Sequence, residues 1–296
     1  MTLFEELQGL MIKYHFRPDK KMSQFFCTNE ALLQFLAIEA KISKKDVVLE
    51  IGPGTGFLTK RLLEKGKVVA IEKDEIMYDL LSAEFADDIA SGKLRLFFGD
   101  ALEKDFDALG VNKIVCLPPY HISSKILAKA CLSKNIEKAL IVFDSGFVEK
   151  IVAFEGFTEY GSLTAFLNLN AKAQVLEKIE ASSFFPAPNC VSEVVQIDFK
   201  RKNDTIEYFT YLKELFRHKN KDLHRALSQA LPFLISEIGW KASYEPTFKK
   251  LKLTGKKVYA LSPQELLAVY EEVNGTKKAP LEKTVKKKTV SKKAKK

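Results

Sequence analysis

Between Asp46 and Phe199 the chain alternates two hydrophobic periods, and this alternation limits the possible folds more than any other feature. The runs "DVVLEIG", "KVVAIEKD", "LRLFFGD", "KIVCLP" and "KALIVFD" are short and rich in β-branched or aromatic residues, as strands are. Between them, "TGFLTKRLLEK", "DEIMYDLLSAEFA" and "SSKILAKACLSK" repeat apolar residues near the helical period of about 3.6. Strands separated by helices predict an α/β fold with a mostly parallel sheet, because parallel neighbours need a crossover and the helix supplies it. Two later segments, "KAQVLEKIEASSFF" and "SEVVQIDFK", read as extended and are expected to form an antiparallel edge hairpin. After Asp204 the strands stop. "TIEYFTYLKELFRHK", "DLHRALSQALPFLISEI" and "SPQELLAVYEEVN" are helical, the last with Ser262 as N-cap and Pro263 at the first helical position. An α/β domain over residues 1–204 and a small all-helical domain over 205–275 are expected.

The net charge of +9 points towards a polyanion until it is located. Residues 277–296 hold ten lysines and one glutamate, leaving 37 basic and 37 acidic side chains in residues 1–276. The tail, "KKAPLEKTVKKKTVSKKAKK", has no hydrophobic period, so residues 276–296 are expected to be disordered. A flexible polycation of this kind holds phosphates non-specifically; a solubility tail or membrane-surface tether is the plainer alternative. Hydrophobic residues make up 46% and charged residues 29%, and no apolar run approaches the roughly 20 residues of a membrane span. The start, "MTLFEELQGLMIKYHF", lacks a small-residue cleavage site, so a cytoplasmic protein is expected. Cys27, Cys116, Cys131 and Cys190 form no C-x-x-C pair, and His15, His121, His218 and His224 have no ligand spacing; no metal is expected.

Open parallel sheets bind ligands outside the carboxyl ends of their strands, and the unusual residues gather there. The first strand of the alternation runs into "EIGPGTGFLTK", with Gly52, Gly54 and Gly56 before a helix. Glycine lets backbone turn tightly and approach a ligand, and a helix N-terminus favours negative groups. The spacing is G-x-G-x-G rather than the G-x-G-x-x-G of dinucleotide binders, which disfavours a dehydrogenase. The second strand ends at Glu72, placed to accept from both ribose hydroxyls of a nucleoside, and the third at Asp100, placed to accept from an adenine amino group. Singly, each acid reads as a solvated residue or helix cap. In this order at successive strand ends they describe a nucleoside-type cofactor pocket.

"VVLEIGPGTGFLT", "VVAIEKD" and "GDAL" resemble the S-adenosylmethionine-dependent methyltransferases with a Rossmann-like sheet. "LPPY" after the fourth strand is similar to the "NPPY" or "NLPY" of members acting on planar exocyclic amines. The lone pair of such a nitrogen is delocalised, so the enzyme must hold the amino hydrogens while the nitrogen pyramidalises. A proline-fixed loop at Leu117 and Pro118 presents backbone carbonyls for that task, and Tyr120 offers a stacking face to a base drawn out of its helix.

A narrower resemblance spans about Lys20 to Asn274. "KKMSQFFCTNEALL" is similar to the "GQNFL" segment, "FTEYGSLT" to "YGxLS", and "FFPAPNCVSEVVQI" to "FxPxPxVxSxVV" of the small-subunit ribosomal RNA adenine dimethyltransferases. "ELFRHKNKDLHRAL" resembles the "FxxRRKTLxNxL" helix of their C-terminal domain. The resemblance implies transfer of methyl groups from S-adenosylmethionine to N6 of two adjacent adenines near the 3′ end of small-subunit ribosomal RNA, during ribosome assembly. It also implies that the helical domain binds RNA. It assigns the cofactor to Gln24, Phe25, Cys27, Gly52, Gly54, Gly56, Glu72, Asp100 and Leu117, and the reaction to Leu117, Pro118, Tyr120 and Phe184, with Phe184 or Phe185 stacking on the target base. A monomer is expected.

Several family residues are replaced. Leu117 stands where the motif has asparagine; alternatively Cys116 takes that position and one proline is inserted. Phe25 replaces an asparagine and Cys27 a leucine. The family's "QKExAxR" becomes "DSGFVEK", Asp144 to Lys150. The changes fall on the acceptor side, while Gly52, Glu72 and Asp100 match. A second reading is therefore an assembly factor of the same descent with little or no methylation.

Overall fold

The computed structural model describes residues 1–20, 23–200 and 205–275. The Lys-rich tail lies outside the described residues. The chain opens with α1 (Leu3–Lys13), β1 (Phe26–Cys27) and α2 (Glu30–Glu39). The alternation then follows as β2 (Val47–Ile51), α3 (Phe57–Leu63), β3 (Lys67–Glu72), α4 (Glu75–Glu84), α5 (Ala86–Ala90), β4 (Leu94–Phe98), β5 (Lys113–Cys116), α6 (Ser123–Leu132) and β6 (Lys138–Asp144). Next come α7 (Ser145–Ile151), α8 (Ser162–Asn170), β7 (Ala171–Ile179), β8 (Phe184–Phe185) and β9 (Ser192–Phe199). The last described elements are α9 (Ile206–Phe216), α10 (Leu223–Ile238), α11 (Glu245–Phe248) and α12 (Pro263–Asn274).

Seven strands form the main sheet in the order β4-β3-β2-β5-β6-β9-β7. β4, β3, β2, β5 and β6 are parallel, while β9 runs antiparallel between β6 and β7. The expected parallel sheet with an antiparallel hairpin at its edge is the observed one. The chain leaves β2 towards β3 on one side and later returns to β5 on the other, so the order reverses at β2. The crevice above β2 and β5 is thus the natural ligand position in a sheet of this kind.

Side chains alternate across a strand, which divides the core in two. Val48, Val68 and Ala70 pack with α1–α4 through Leu7, Leu36, Leu62 and Leu80. Leu49, Ile51, Val69 and Ile71 face the opposite way, into the cluster holding Ile126, Phe166, Tyr208, Leu227 and Val269. Each fully buried side chain of this size contributes about 1.5–3 kcal/mol. The C-terminal helices share that second cluster with the sheet, and α9 and α12 lie against α8. In α12 Ser262 accepts from the Glu265 amide and Glu265 accepts from the Ser262 amide, so the expected cap is a full capping box.

Among the described residues six helices fall outside the periodic segments of the sequence: α1, α2, α7, α8 and α11 wholly, and α5 in all but its first residue. α8 shows why. Six of its residues, Thr164, Ala165, Phe166, Leu167, Leu169 and Asn170, are buried, so it has almost no polar face to set up a period.

Candidate active site

After Ile51 the backbone turns through Gly52 at φ +66° and Gly54 at φ +57°, conformations costly for any residue with a Cβ. Space is equally limiting: a Cβ on Gly52 would lie 3.2 Å from Pro119 Cδ, and one on Gly54 would lie 3.1 Å from Phe26 Cε1. The glycine loop is pressed between the segment after β5 and the segment of β1. A groove results. Its first part is lined by Gln24, Phe25, Cys27, Glu50, Gly54 and Leu117, its second by Lys73, Asp74, Asp100 and His121. Gln24, Gly52, Glu72 and Pro119 line both, so the groove is continuous across the ends of β2–β5. Gly56 lines neither part: a Cβ there would come within 2.4 Å of the Phe85 ring, which makes it a packing position between α3 and the end of α4.

Glu72 is 7% exposed and its carboxylate is already held by the backbone. Oε1 accepts from the amides of Lys73 at 2.8 Å and Asp74 at 2.9 Å, and Oε2 accepts from Gly54 at 3.1 Å. A carboxylate has about four lone-pair sites, so one remains at Oε2 for a hydroxyl in the groove. Burial raises its pKa, opposed by those three amides. Asp100 differs: the Leu102 amide at 2.8 Å and then Lys73 Nζ at 3.0 Å hold its pKa below the ordinary carboxylate value. It stays ionised and acceptor-only, as an amino-group ligand must. Gln24, in the lining of both parts, donates to Asp74 Oδ2 at 2.9 Å and accepts from the Asp19 amide at 2.9 Å.

Glu50, Lys73, Asp74 and His121 were not among the sequence candidates. Glu50 is 2% exposed, lines the groove, and accepts from Thr59 Oγ1 at 2.7 Å. The available signal was an acid in the middle of the apolar run "VVLEI". Burial pushes its pKa up to about 8. Between the unfolded value near 4.5 and about 8 the folded chain holds a proton that the unfolded chain lacks. Its contribution to stability is therefore present below pH 4.5 and is lost as pH rises towards 8. Glu50→Gln is expected to flatten this slope, by up to about 1.4 kcal/mol per pH unit. Denaturant unfolding of both proteins at pH 5.5 and 8 reads it, and parallel pH dependences would contradict it.

On the acceptor side, Leu117 lines the groove while Cys116, the last residue of β5, is fully buried and does not. Of the two alignments, the one with Leu117 at the asparagine position thus puts the replaced side chain in the lining of the groove. Pro118 is buried. No hydrogen bond to the Leu117 or Pro118 carbonyl occurs among the described residues. Tyr120 donates to or accepts from Ser192 Oγ at 2.6 Å, and its ring is stacked on Phe25 at 5.8 Å and 25°. Burial raises its pKa to about 12. Phe184 is 5% exposed, in β8, paired with Cys27 of β1; Phe185 pairs with Phe26 and meets the Phe4 ring edge-on. The Cys27 thiol is raised to about 11 by burial and is no nucleophile at neutral pH. Among the described residues no group of three or more His, Cys, Asp or Glu is placed to hold a metal ion.

A family model described as "Ribosomal RNA adenine dimethylase" matches residues 15–238. The chain belongs to that family. Two curated proteins described as "Probable ribosomal RNA small subunit methyltransferase A" are similar to this dimethylase-family chain over most of its length. That of Thermococcus gammatolerans is 32% identical over 92% of this chain and 95% of its own. That of Methanopyrus kandleri is 33% identical over 93% and 100%. Among solved structures, a dimethyladenosine transferase from Plasmodium falciparum superposes with a TM-score of 0.72 at 26% identity, over 85% of this chain and 98% of that one. The 23S rRNA methyltransferase ErmE shares the fold, with a TM-score of 0.57 at 19% identity over 84% and 99%. The glycine loop, Glu72 and Asp100 therefore sit on a Rossmann-like methyltransferase sheet of a known family.

Proposed function

We propose that the chain transfers methyl groups from S-adenosylmethionine to N6 of adjacent adenines near the 3′ end of small-subunit ribosomal RNA during ribosome biogenesis. One observation carries the reading: Glu72, Asp100 and, from the loop after β5, Leu117 and Pro119 line a single groove joined at Gly52 and Pro119, with Pro118 and Tyr120 behind that lining. The residues fit the cofactor. Glu72 keeps one acceptor site for a ribose hydroxyl, Asp100 is an ionised acceptor for an adenine amine, and the glycine loop admits backbone contact. When bound, the group supplies a methyl activated by its own sulfonium charge, so the protein's tasks are alignment and exclusion of water.

The Leu117 and Pro118 carbonyls accept no hydrogen bond among the described residues and would take the two amino hydrogens, which lets the target nitrogen turn its lone pair towards the methyl. Tyr120 is fixed at its hydroxyl by Ser192, and a base using the ring face now covered by Phe25 takes the place of that side chain. Phe184 stands close to the same segment through its pairing with Cys27. The reading includes a monomeric, cytoplasmic protein, and no helix among the described residues is long and apolar enough to cross a membrane.

Transfer of label from methyl-labelled S-adenosylmethionine to unmethylated small subunits tests the reaction. Leu117→Asn, run beside it, restores the side-chain acceptor of the family motif. Its kcat is expected to be unchanged or raised, by up to about a hundredfold, the scale of one well-placed transition-state hydrogen bond. A sharp loss would mean that Leu117 packs against the bound cofactor and that the carbonyls alone hold the amine.

A further inference from the structure

We propose that the loop between α7 and α8 is a stacking platform for unpaired bases of the RNA, built on Phe154 and Phe157. The inference rests on the reading of the chain as an RNA-modifying enzyme. Phe154 is 65% exposed and Phe157 60%. Single exposed apolar side chains are ordinary, but these two share one turn, closed by the Phe157 amide on the Phe154 carbonyl at 3.2 Å. The turn is held rather than loose. The Gly156 amide donates to the Tyr259 carbonyl at 2.8 Å, Lys219 Nζ donates to the Thr158 carbonyl at 2.8 Å, and the buried Tyr160 donates its hydroxyl to the Leu261 carbonyl at 3.1 Å. Two phenyl rings are thereby presented to solvent on a fixed base.

Position and charge point to nucleic acid as the occupant. β6 and β7 both run antiparallel to β9 and so parallel to each other; α8, which leads into β7, must begin at the carboxyl ends of the strands. The loop stands at the end of the sheet that carries the groove. Beside it, the amides of Tyr259 and Val258 donate to the Lys219 and Lys221 carbonyls, which joins the loop to a hollow whose charged lining is Lys221, Arg225 and Lys257 against the single acid Asp222. The loop itself carries Glu155 and Glu159, both exposed, which repel phosphates. A strand crossing here therefore lays its backbone along the lysines and turns its bases to the rings. Aromatic stacking of this kind is tolerant of sequence because every base has a π-face.

The test uses the full chain, an in vitro transcript of the 3′ region of small-subunit RNA, and intact small subunits. Phe154→Ala/Phe157→Ala is expected to bind the transcript about tenfold or more weakly per ring lost, with an unchanged salt slope, since no phosphate contact is removed. Phe154→Trp/Phe157→Trp is expected to retain wild-type affinity. Methyl transfer should show a raised KM for RNA and an unchanged kcat. Both variants should melt with the wild type, because the rings are exposed. Equal transcript affinity in wild type and alanine variant would overturn the platform while leaving the proposed activity standing. Loss of affinity for intact subunits alone would also overturn it, by showing that the rings dock on a ribosomal protein. Failure of the wild type to bind the transcript or transfer methyl would instead overturn the enzymatic reading, and the platform with it.

Discussion

Replacing Glu72 with alanine is expected to weaken S-adenosylmethionine binding by about tenfold to a hundredfold and to destabilise the chain at the same time. The affinity loss is that of a hydrogen bond to a charged acceptor, about 1.5–3 kcal/mol. The stability loss has a different source. The carboxylate takes three backbone amides, from Gly54, Lys73 and Asp74, and ties the glycine loop to the end of β3. Alanine leaves all three without that partner, and each unsatisfied donor costs about 1–3 kcal/mol. Because the groove admits water, the low end applies, for a total of about 3 kcal/mol and a fall in Tm of about 10 °C. Glu72→Gln should fall between, since its amide oxygen satisfies one side of the pattern and its NH2 opposes the other. Calorimetric titration and thermal melting read the two effects separately. Wild-type affinity in the alanine variant would remove Glu72 from the cofactor site.

The second large effect is one of packing. Gly56→Ala is expected to cost about 2–5 kcal/mol, a large part of the 5–15 kcal/mol that holds a typical domain folded. Gly56 caps α3 at φ +79°, where an L side chain costs about 1–2 kcal/mol. The added methyl would also meet Phe85 Cε2 at 2.4 Å and Leu81 Cδ2 at 2.9 Å, and overpacking adds about 1–3 kcal/mol. Phe85→Leu in the same chain should recover the steric part and leave the backbone part, a coupling that a double-mutant cycle isolates. The folded variant should bind the cofactor as the wild type does, because Gly56 lines neither part of the groove. Wild-type stability with lost binding would make Gly56 a ligand position.

The residues that sequence alone placed well were those whose role is local. The strands were legible because runs such as "KVVAIE" are β-branched and end on a charged tip, and the cap of α12 because Ser262, Pro263 and Glu265 act within one turn. The places of Glu72 and Asp100 at the sheet's edge were legible because Glu72 closes β3 and Asp100 lies two residues beyond β4. What sequence could not give was anything set by contact between distant segments. Gly56 belongs to the same triplet as Gly52 and Gly54, yet Phe85, far along the chain, decides that it packs rather than lines the groove. Tyr120 reads as a free stacking face until Phe25 is found on it. Glu50 was hidden inside a strand whose other residues are apolar. α8 was hidden by being buried on nearly every side, and the shared core of the C-terminal helices and the sheet by the long separation of Phe166 from Leu227 and Val269.

The replaced residues on the acceptor side make catalysis the central claim. Its most direct measurement is mass spectrometry of nuclease-digested RNA, after unmethylated small subunits are incubated with the protein and S-adenosylmethionine. Dimethyladenosine at two adjacent positions near the 3′ end is the predicted result. Cofactor binding by calorimetry with no methylated adenosine in the digest would contradict it, and would leave a protein that keeps the groove of Glu72 and Asp100 but carries out assembly without chemistry.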